Sequence, residues 1–176
     1  AIKTYVTDLM QESSQSLLQL VGAKGYRLDH FAGRAVVDSR PFQIFEGSND
    51  ILYIQISETL LKQMKVAKEK NLFCYLSSFD LTHRASGLLK NMVDFELNTS
   101  LSQRKLVELG QVVSRIVAMD LVLKLGEKGF DRELINGSQG NLQQEIATLL
   151  ANYSFENRTE LIDPDQGRPS WRSYSD

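Results

Sequence analysis

The fold class is decided by the stretch Leu101–Leu125, LSQRKLVELGQVVSRIVAMDLVLKL. Apolar side chains recur in it at steps of four, three and four positions, which is the spacing of one face of an α-helix: Val112, Ile116, Met119 and Leu123. A second apolar set widens this face: Leu106, Leu109, Val113 and Val117. We therefore predict a long helix with a broad buried face.

The rest of the chain also favours helices. Its three prolines are Pro41, Pro164 and Pro169, and the long interval between the first two is free of proline. A proline inside a helix costs about 3 kcal/mol, so this interval permits long helices. No segment shows the sustained alternation of apolar and polar residues that is typical of a half-buried strand. The sequence predicts an all-α fold.

The other predicted helices share apolar residues at helical spacing. They are Tyr5 or Asp8 to Val21, Asp29 to about Val37, Ile51 to about Lys68, Leu72–Phe79, Leu88–Phe95 and Leu142–Leu150. Glycines, a proline or capping residues predict the breaks between them: the turn Gly22–Tyr26, the loop Arg40–Asp50 with an Asn49-Asp50 cap, and a loop or interruption at Gly137–Gly140.

Composition excludes several classes of protein. The 176 residues carry 20 basic and 22 acidic side chains, a net charge of −2, which does not suit a dedicated binder of nucleic acid. Cys74 has no second cysteine with which to form a disulfide or a CxxC site, and His30 and His83 are too few for a His/Cys metal centre. No apolar run approaches the roughly 18 residues of a membrane span. We expect a soluble protein in a reducing compartment.

Glu46 is the candidate catalytic residue. It follows Phe42, Ile44 and Phe45 on a loop that starts with a proline, and Gly47 after it leaves room for a ligand to approach the backbone. In a dry pocket such a carboxylate would be suited to general base catalysis. The alternative is that Glu46 only begins or caps the helix after it.

Gly22 and Gly25 form the second candidate site. Glycines allow backbone N–H groups to approach a phosphate, but a glycine turn after a helix also serves as an ordinary C-cap. The spacing matches neither GxGxxG nor GxxxxGK[ST]. Arg34 and Arg40 could bind an anion or could pair with Asp38 at the surface.

Three motifs in order change this assessment: QLVGAKGY at 19–26, RAVVDSR at 34–40 and IFEGSNDI at 44–51. Together they resemble the C-terminal helical domain of the acyl-CoA dehydrogenases. The resemblance implies that Glu46 is the base that removes the α-proton of a fatty acyl-CoA thioester while the β-hydrogen leaves as hydride to FAD. It implies that the backbone N–H of Glu46 donates to the thioester oxygen and that Gly47 leaves room for the thioester.

The resemblance also implies a set of positions that contact FAD, in part a flavin held by a neighbouring subunit: Gln19, Gly22, Gly25, Ser48 and Asp50. Arg34, Asp38 and Arg40 would fix the geometry between helix and loop. The chain departs from the family at Ala23, where a second glycine is usual, at Val37, where an arginine is frequent, and at Tyr53, where an arginine often follows the Glu-Gly motif.

The resemblance further implies that much of such an enzyme lies outside these residues. Residue 1 is Ala, and no N-terminal helical domain or flavin-covering β-domain is present, so we expect a fragment or a processed product that is inactive alone. We predict that residues 1–64 end the C-terminal bundle, that 65–162 form an additional helical domain like that of extended members, and that 163–176 are an extended tail. The implied partners are a fatty acyl-CoA, an electron-acceptor protein and further subunits of a homodimer or homotetramer, in the cytoplasm or in the mitochondrial matrix of a eukaryote.

Two alternatives remain open. A degenerate member could use the helices for oligomerisation or docking without dehydrogenation, which Ala23 and Tyr53 favour slightly. An extended member recruited to nucleic acid would need a basic groove, and the balanced charge does not supply one.

Overall fold

The computed structural model describes residues 1–27, 29–98 and 100–154. Within these ranges the chain forms seven helices: α1 (Ile2–Val21), α2 (Phe31–Ser39), α3 (Asn49–Ala67), α4 (Leu72–Ser78), α5 (His83–Val93), α6 (Gln103–Glu127) and α7 (Arg132–Ser154). Two 3₁₀ turns, Gly22–Tyr26 and Arg40–Gln43, flank α2. The extended pairing among these residues is an isolated bridge between Asn71 and Glu96. The predicted all-α class is confirmed.

Helix α6 lies at the centre and packs against α3 on one side and α7 on the other. Its predicted apolar face is buried, with Val112, Ile116 and Met119 all inaccessible to solvent. Gly110 allows α3 to come close, because a Cβ at this position would lie 2.2 Å from the carbonyl oxygen of Tyr53. Burial of this face contributes a large part of the hydrophobic core.

The core is one cluster that includes side chains from α3 to α7. Leu60 and Met64 of α3 belong to it, together with Leu72, Leu76, Leu89, Leu109, Leu142 and Ile146. Helices α1 and α2 pack mainly on each other, and α1 also contacts α6. None of the helices in the described ranges combines the length and apolar character that a membrane crossing requires.

Two local predictions are wrong. Gly137–Gly140 neither forms a loop nor interrupts a helix, because α7 continues through it. Each glycine in a helix costs roughly 1 kcal/mol, and burial of Leu142, Ile146 and Leu150 on the core outweighs that cost.

The predicted Asn49-Asp50 cap is also wrong. Ser48 is the N-cap of α3, and Asn49 is the first helical residue. The Asn49 side chain is instead buried and donates to the Thr7 hydroxyl at 2.9 Å. The predicted tail, residues 163–176, lies outside the described residues.

Candidate functional site: the Glu46–Gly47 loop

The candidate catalytic residue lies in a tight loop between the second 3₁₀ turn and α3. Glu46 has φ 59° and Gly47 has φ 98°, so two consecutive residues have left-handed backbone. Glycine adopts this region freely, whereas for a residue with a Cβ it costs roughly 1–2 kcal/mol. Such a conformation persists where the surrounding structure enforces it.

One carboxylate oxygen of Asp8 holds both flanks of this loop. Asp8 Oδ1 accepts a hydrogen bond from Gln43 Nε2 at 2.7 Å and another from Asn49 Nδ2 at 2.6 Å. These donors stand three positions before and three positions after Glu46. Because Asp8 belongs to α1, the path of the loop is fixed by a helix that is distant in sequence.

Lys3 adds a second attachment between α1 and the loop. Its Nζ donates to the Gly47 carbonyl at 3.1 Å and to Asn49 Oδ1 at 2.9 Å. Arg40 contributes from the preceding turn, since its NH1 donates to Gln43 Oε1 at 2.6 Å and so orients the amide that binds Asp8. This contact agrees with the expectation that Arg40 fixes helix-loop geometry.

The apolar neighbours of Glu46 do not enclose it. Phe42, Ile44 and Phe45 are 55%, 52% and 66% exposed, and the Glu46 side chain is exposed as well. The described part of this chain therefore does not by itself form the dry pocket in which Glu46 would be suited to general base catalysis. An exposed apolar cluster of this kind is typical of a surface that another chain segment or molecule covers.

Glu46 itself is open to a ligand. Among the described residues, neither its carboxylate nor its backbone N–H has a hydrogen-bond partner. A backbone N–H without a partner can donate to an incoming oxygen.

A cavity of about 460 Å³ lies between α3, the start of α1, α4 with the turn after it, and α6. Leu52 links this cavity to Gly47, because it lines the cavity and would lie 3.4 Å from a Cβ added at Gly47. Glu46 is not among the lining residues. The predicted base therefore does not face this cavity.

The predicted cofactor residues fall into two groups. Ser48, half-buried at the N-cap, and Asp50, exposed in the first turn of α3, lie beside Glu46. Gln19 and the glycine turn lie at the far end of α1. With a rise of 1.5 Å per residue, Gln19 is roughly 24 Å from Lys3 along the helix. One compact site on a single chain does not include both groups.

The glycine turn has a structural explanation at each glycine. Gly22 has φ 70° and caps α1 through an N–H bond to the Leu18 carbonyl. Gly25 is buried, and a Cβ there would lie 2.6 Å from Leu18 Cδ1. Gly33 of α2 packs on the same turn, because its Cβ would lie 2.4 Å from the Gly25 carbonyl oxygen. The C-cap interpretation therefore holds for Gly22, which also remains open on its outer side.

Sequence reasoning missed the residues behind the loop. Tyr53 is 1% exposed, donates to Asp8 Oδ2 at 2.5 Å and accepts from Arg115 NH1 of α6 at 2.9 Å. Burial and the bond to Asp8 raise the pKa of Tyr53 to about 12, although the charge of Arg115 acts in the opposite direction. The signal in the sequence was an arginine within the buried face of α6, where a charge requires a partner.

Residues 1–61 match the family model described as acyl-CoA dehydrogenase, C-terminal domain. No curated protein and no solved structure matches the chain. The matched region contains α1, α2, the Glu46–Gly47 loop and most of α3, whereas α4–α7 lie outside it.

Proposed function

We propose that the chain is the C-terminal part of a flavin-dependent acyl-CoA dehydrogenase, because residues 1–61 match the model of the C-terminal domain of that family. The reaction is oxidation of the α,β C–C bond of a fatty acyl-CoA thioester. The observation that supports the proposal most directly is the Glu46–Gly47 loop, whose two flanks are bound by one carboxylate oxygen of Asp8.

Glu46 is the proposed base. Its carboxylate takes the proton from the α-carbon, and the electron pair of that C–H bond moves toward the thioester carbonyl. The backbone N–H of Glu46, which has no partner among the described residues, would donate to the thioester oxygen as negative charge develops there. Gly47 leaves the space beside it free of a side chain.

FAD, when bound, supplies the acceptor for the β-hydride. The exposed Gln19 side chain and the open outer side of Gly22 fit a contact with the adenosine-diphosphate part of a flavin held by a neighbouring subunit. Gly25 is buried under Leu18, so it would act through the shape of the turn. Ser48 and Asp50 would contact FAD beside Glu46.

The exposed cluster Phe42, Ile44 and Phe45 fits the requirement for dry surroundings if other domains cover it. The proposed arrangement keeps residues 1–64 as the end of the catalytic bundle, 65–162 as an additional helical domain and 163–176 as a tail. A fatty acyl-CoA, an electron-acceptor protein and further copies of the subunit in a dimer or tetramer are the proposed partners, in the cytoplasm or in the mitochondrial matrix of a eukaryote.

The test compares the full-length protein with its Glu46→Gln variant. We expect wild type to bind FAD and its flavin absorbance to bleach on addition of acyl-CoAs, whereas Glu46→Gln keeps FAD and does not bleach. Glu58→Gln, an exposed change on the same α3, is the matched control and should bleach like wild type. A wild-type protein without flavin, or bleaching that survives Glu46→Gln, would overturn the proposal.

The second candidate function is a helical docking module without dehydrogenation. The exposed Phe42, Ile44 and Phe45 favour it, because an apolar cluster of this size also suits a protein interface. Absence of flavin from the full-length wild type, with association lost on replacing Phe45 by Ser, would support this function.

A further inference from the structure

We propose that Arg115, on α6, is a positioning residue for the Glu46–Gly47 loop and acts through Tyr53 and Asp8. The consequence of this positioning for catalysis rests on the proposed function, whereas the effect of Arg115 on the loop does not. Arg115 lies outside the family match at residues 1–61, so the inference gives the additional helices a part in the candidate active site.

Arg115 is held in place on several sides. Its side chain is 12% exposed, and Nε lies 3.4 Å from Glu145 Oε2 of α7. The guanidinium carbon lies 5.0 Å from the ring centroid of Tyr5 and 5.8 Å from that of Tyr53, within the range of cation–π attraction. NH1 remains to donate to the Tyr53 hydroxyl at 2.9 Å.

This donation fixes the direction of the next hydrogen bond. A guanidinium can only donate, so the Tyr53 oxygen must accept from Arg115 and its proton is directed to Asp8. The bond to Asp8 Oδ2 is short, 2.5 Å, as expected for a hydroxyl that is polarised by a cation and donates to a carboxylate.

Asp8 connects Tyr53 to the Glu46–Gly47 loop. With Oδ2 bound to Tyr53, the plane of the carboxylate is set, and Oδ1 is directed to Gln43 and Asn49. These two side chains flank the left-handed residues Glu46 and Gly47. Three hydrogen bonds in sequence therefore join α6 to either flank of the candidate catalytic loop.

The first test is amide hydrogen exchange in the full-length protein. Arg115→Gln should speed exchange in peptides that cover residues 43–50 by about tenfold, the effect of losing one charge-assisted hydrogen bond. Exchange in α5 should stay unchanged. Arg115→Lys should recover part of the protection, since an ammonium can still donate to Tyr53. Arg104→Gln, an exposed change on the same helix, is the control.

A double-mutant comparison tests the route. In a Tyr53→Phe background the hydroxyl is missing, so Arg115→Gln should add nothing further to exchange at residues 43–50. Equal acceleration in the loop and in α5, no acceleration, or an undiminished effect in the Tyr53→Phe background would overturn the proposal.

The second test separates this proposal from the catalytic one. If Glu46 is the base, Arg115→Gln should slow flavin bleaching while FAD content and the Kd for acyl-CoA stay within about twofold of wild type, and Arg115→Lys should restore part of the rate. A rise in Kd with an unchanged bleaching rate would contradict positioning. Failure of bleaching in wild type overturns the proposed function and leaves the exchange result to decide the role of Arg115.

Discussion

Gly110 of α6 lies directly against the backbone of Tyr53 in α3: a Cβ at position 110 would stand 2.2 Å from the Tyr53 carbonyl oxygen. The two helices can cross this closely only because position 110 has no side chain. Gly110→Ala should lower the free energy of unfolding by about 1–3 kcal/mol, the usual cost of overpacking a core. Urea denaturation measures it, and an unchanged midpoint would contradict the close crossing.

Gly137→Ala should raise the free energy of unfolding, in contrast to Gly110→Ala. Gly137 lies inside α7, and an added Cβ would meet no atom within 4 Å. Alanine should therefore stabilise the protein by about 0.5–1 kcal/mol through its higher helix propensity alone. A destabilising result would contradict the continuous α7 and favour the loop that the sequence suggested.

The contrast between these glycines shows what sequence reasoning could not supply. Both lie in helices, and from the sequence Gly137 resembled a break because Gly140 follows three residues later. The helix persists because Leu142, Ile146 and Leu150 on its C-terminal side are buried on the core. The low helix propensity of glycine costs less free energy than burial of these side chains contributes. That burial depends on other helices, so no local sequence pattern indicates it.

Several helix faces and helix ends could be predicted from the spacing of apolar residues and from the positions of glycine, proline and capping residues. The buried face of α6, the end of α1 before Gly22 and the helix Leu72–Ser78 were all predictable, because each depends on neighbours within one or two turns. The Asp8–Tyr53–Arg115 contacts were not, since they join residues 45 and 62 positions apart. The predicted roles of Glu46 and of the FAD-contacting positions remain predictions.

Asp120 holds the start of α5 from the neighbouring α6. Its carboxylate is 1% exposed and accepts from the Arg84 backbone N–H at 2.8 Å and from Arg84 NH1 at 3.1 Å. Asp120→Ala would leave the first-turn N–H of Arg84 without its acceptor and would remove the buried one of the two carboxylates that bind the Arg84 side chain. We expect a loss of about 3 kcal/mol in the free energy of unfolding.

Glu127 offers the matched control for Asp120. It also binds Arg84, at 3.2 Å, but its side chain is 60% exposed. Glu127→Ala should therefore change the free energy of unfolding by less than about 1 kcal/mol. Similar losses for the two variants would show that burial of Asp120 does not decide its contribution.

Tyr53 should make stability depend on alkaline pH. Its pKa is raised from 10.0 to about 12 in the folded protein, first by burial and then by its hydrogen bond to Asp8. Between these values the unfolded chain releases the phenol proton while the folded chain retains it, so the unfolded state binds fewer protons and the free energy of unfolding falls as pH rises. Below pH 10 the contribution is fully present.

Tyr53→Phe removes this titration, so the variant should lose stability less steeply than wild type between pH 10 and pH 12. Urea denaturation at several pH values in this window measures the difference. The comparison of the two proteins also cancels the contributions of the other tyrosines whose pKa values are raised, Tyr5, Tyr75 and Tyr153. Tyr26→Phe, at an 80% exposed position, should follow wild type. Parallel curves for wild type and Tyr53→Phe would mean that the hydroxyl is not held between Arg115 and Asp8, and would remove the link on which the positioning of the Glu46 loop depends.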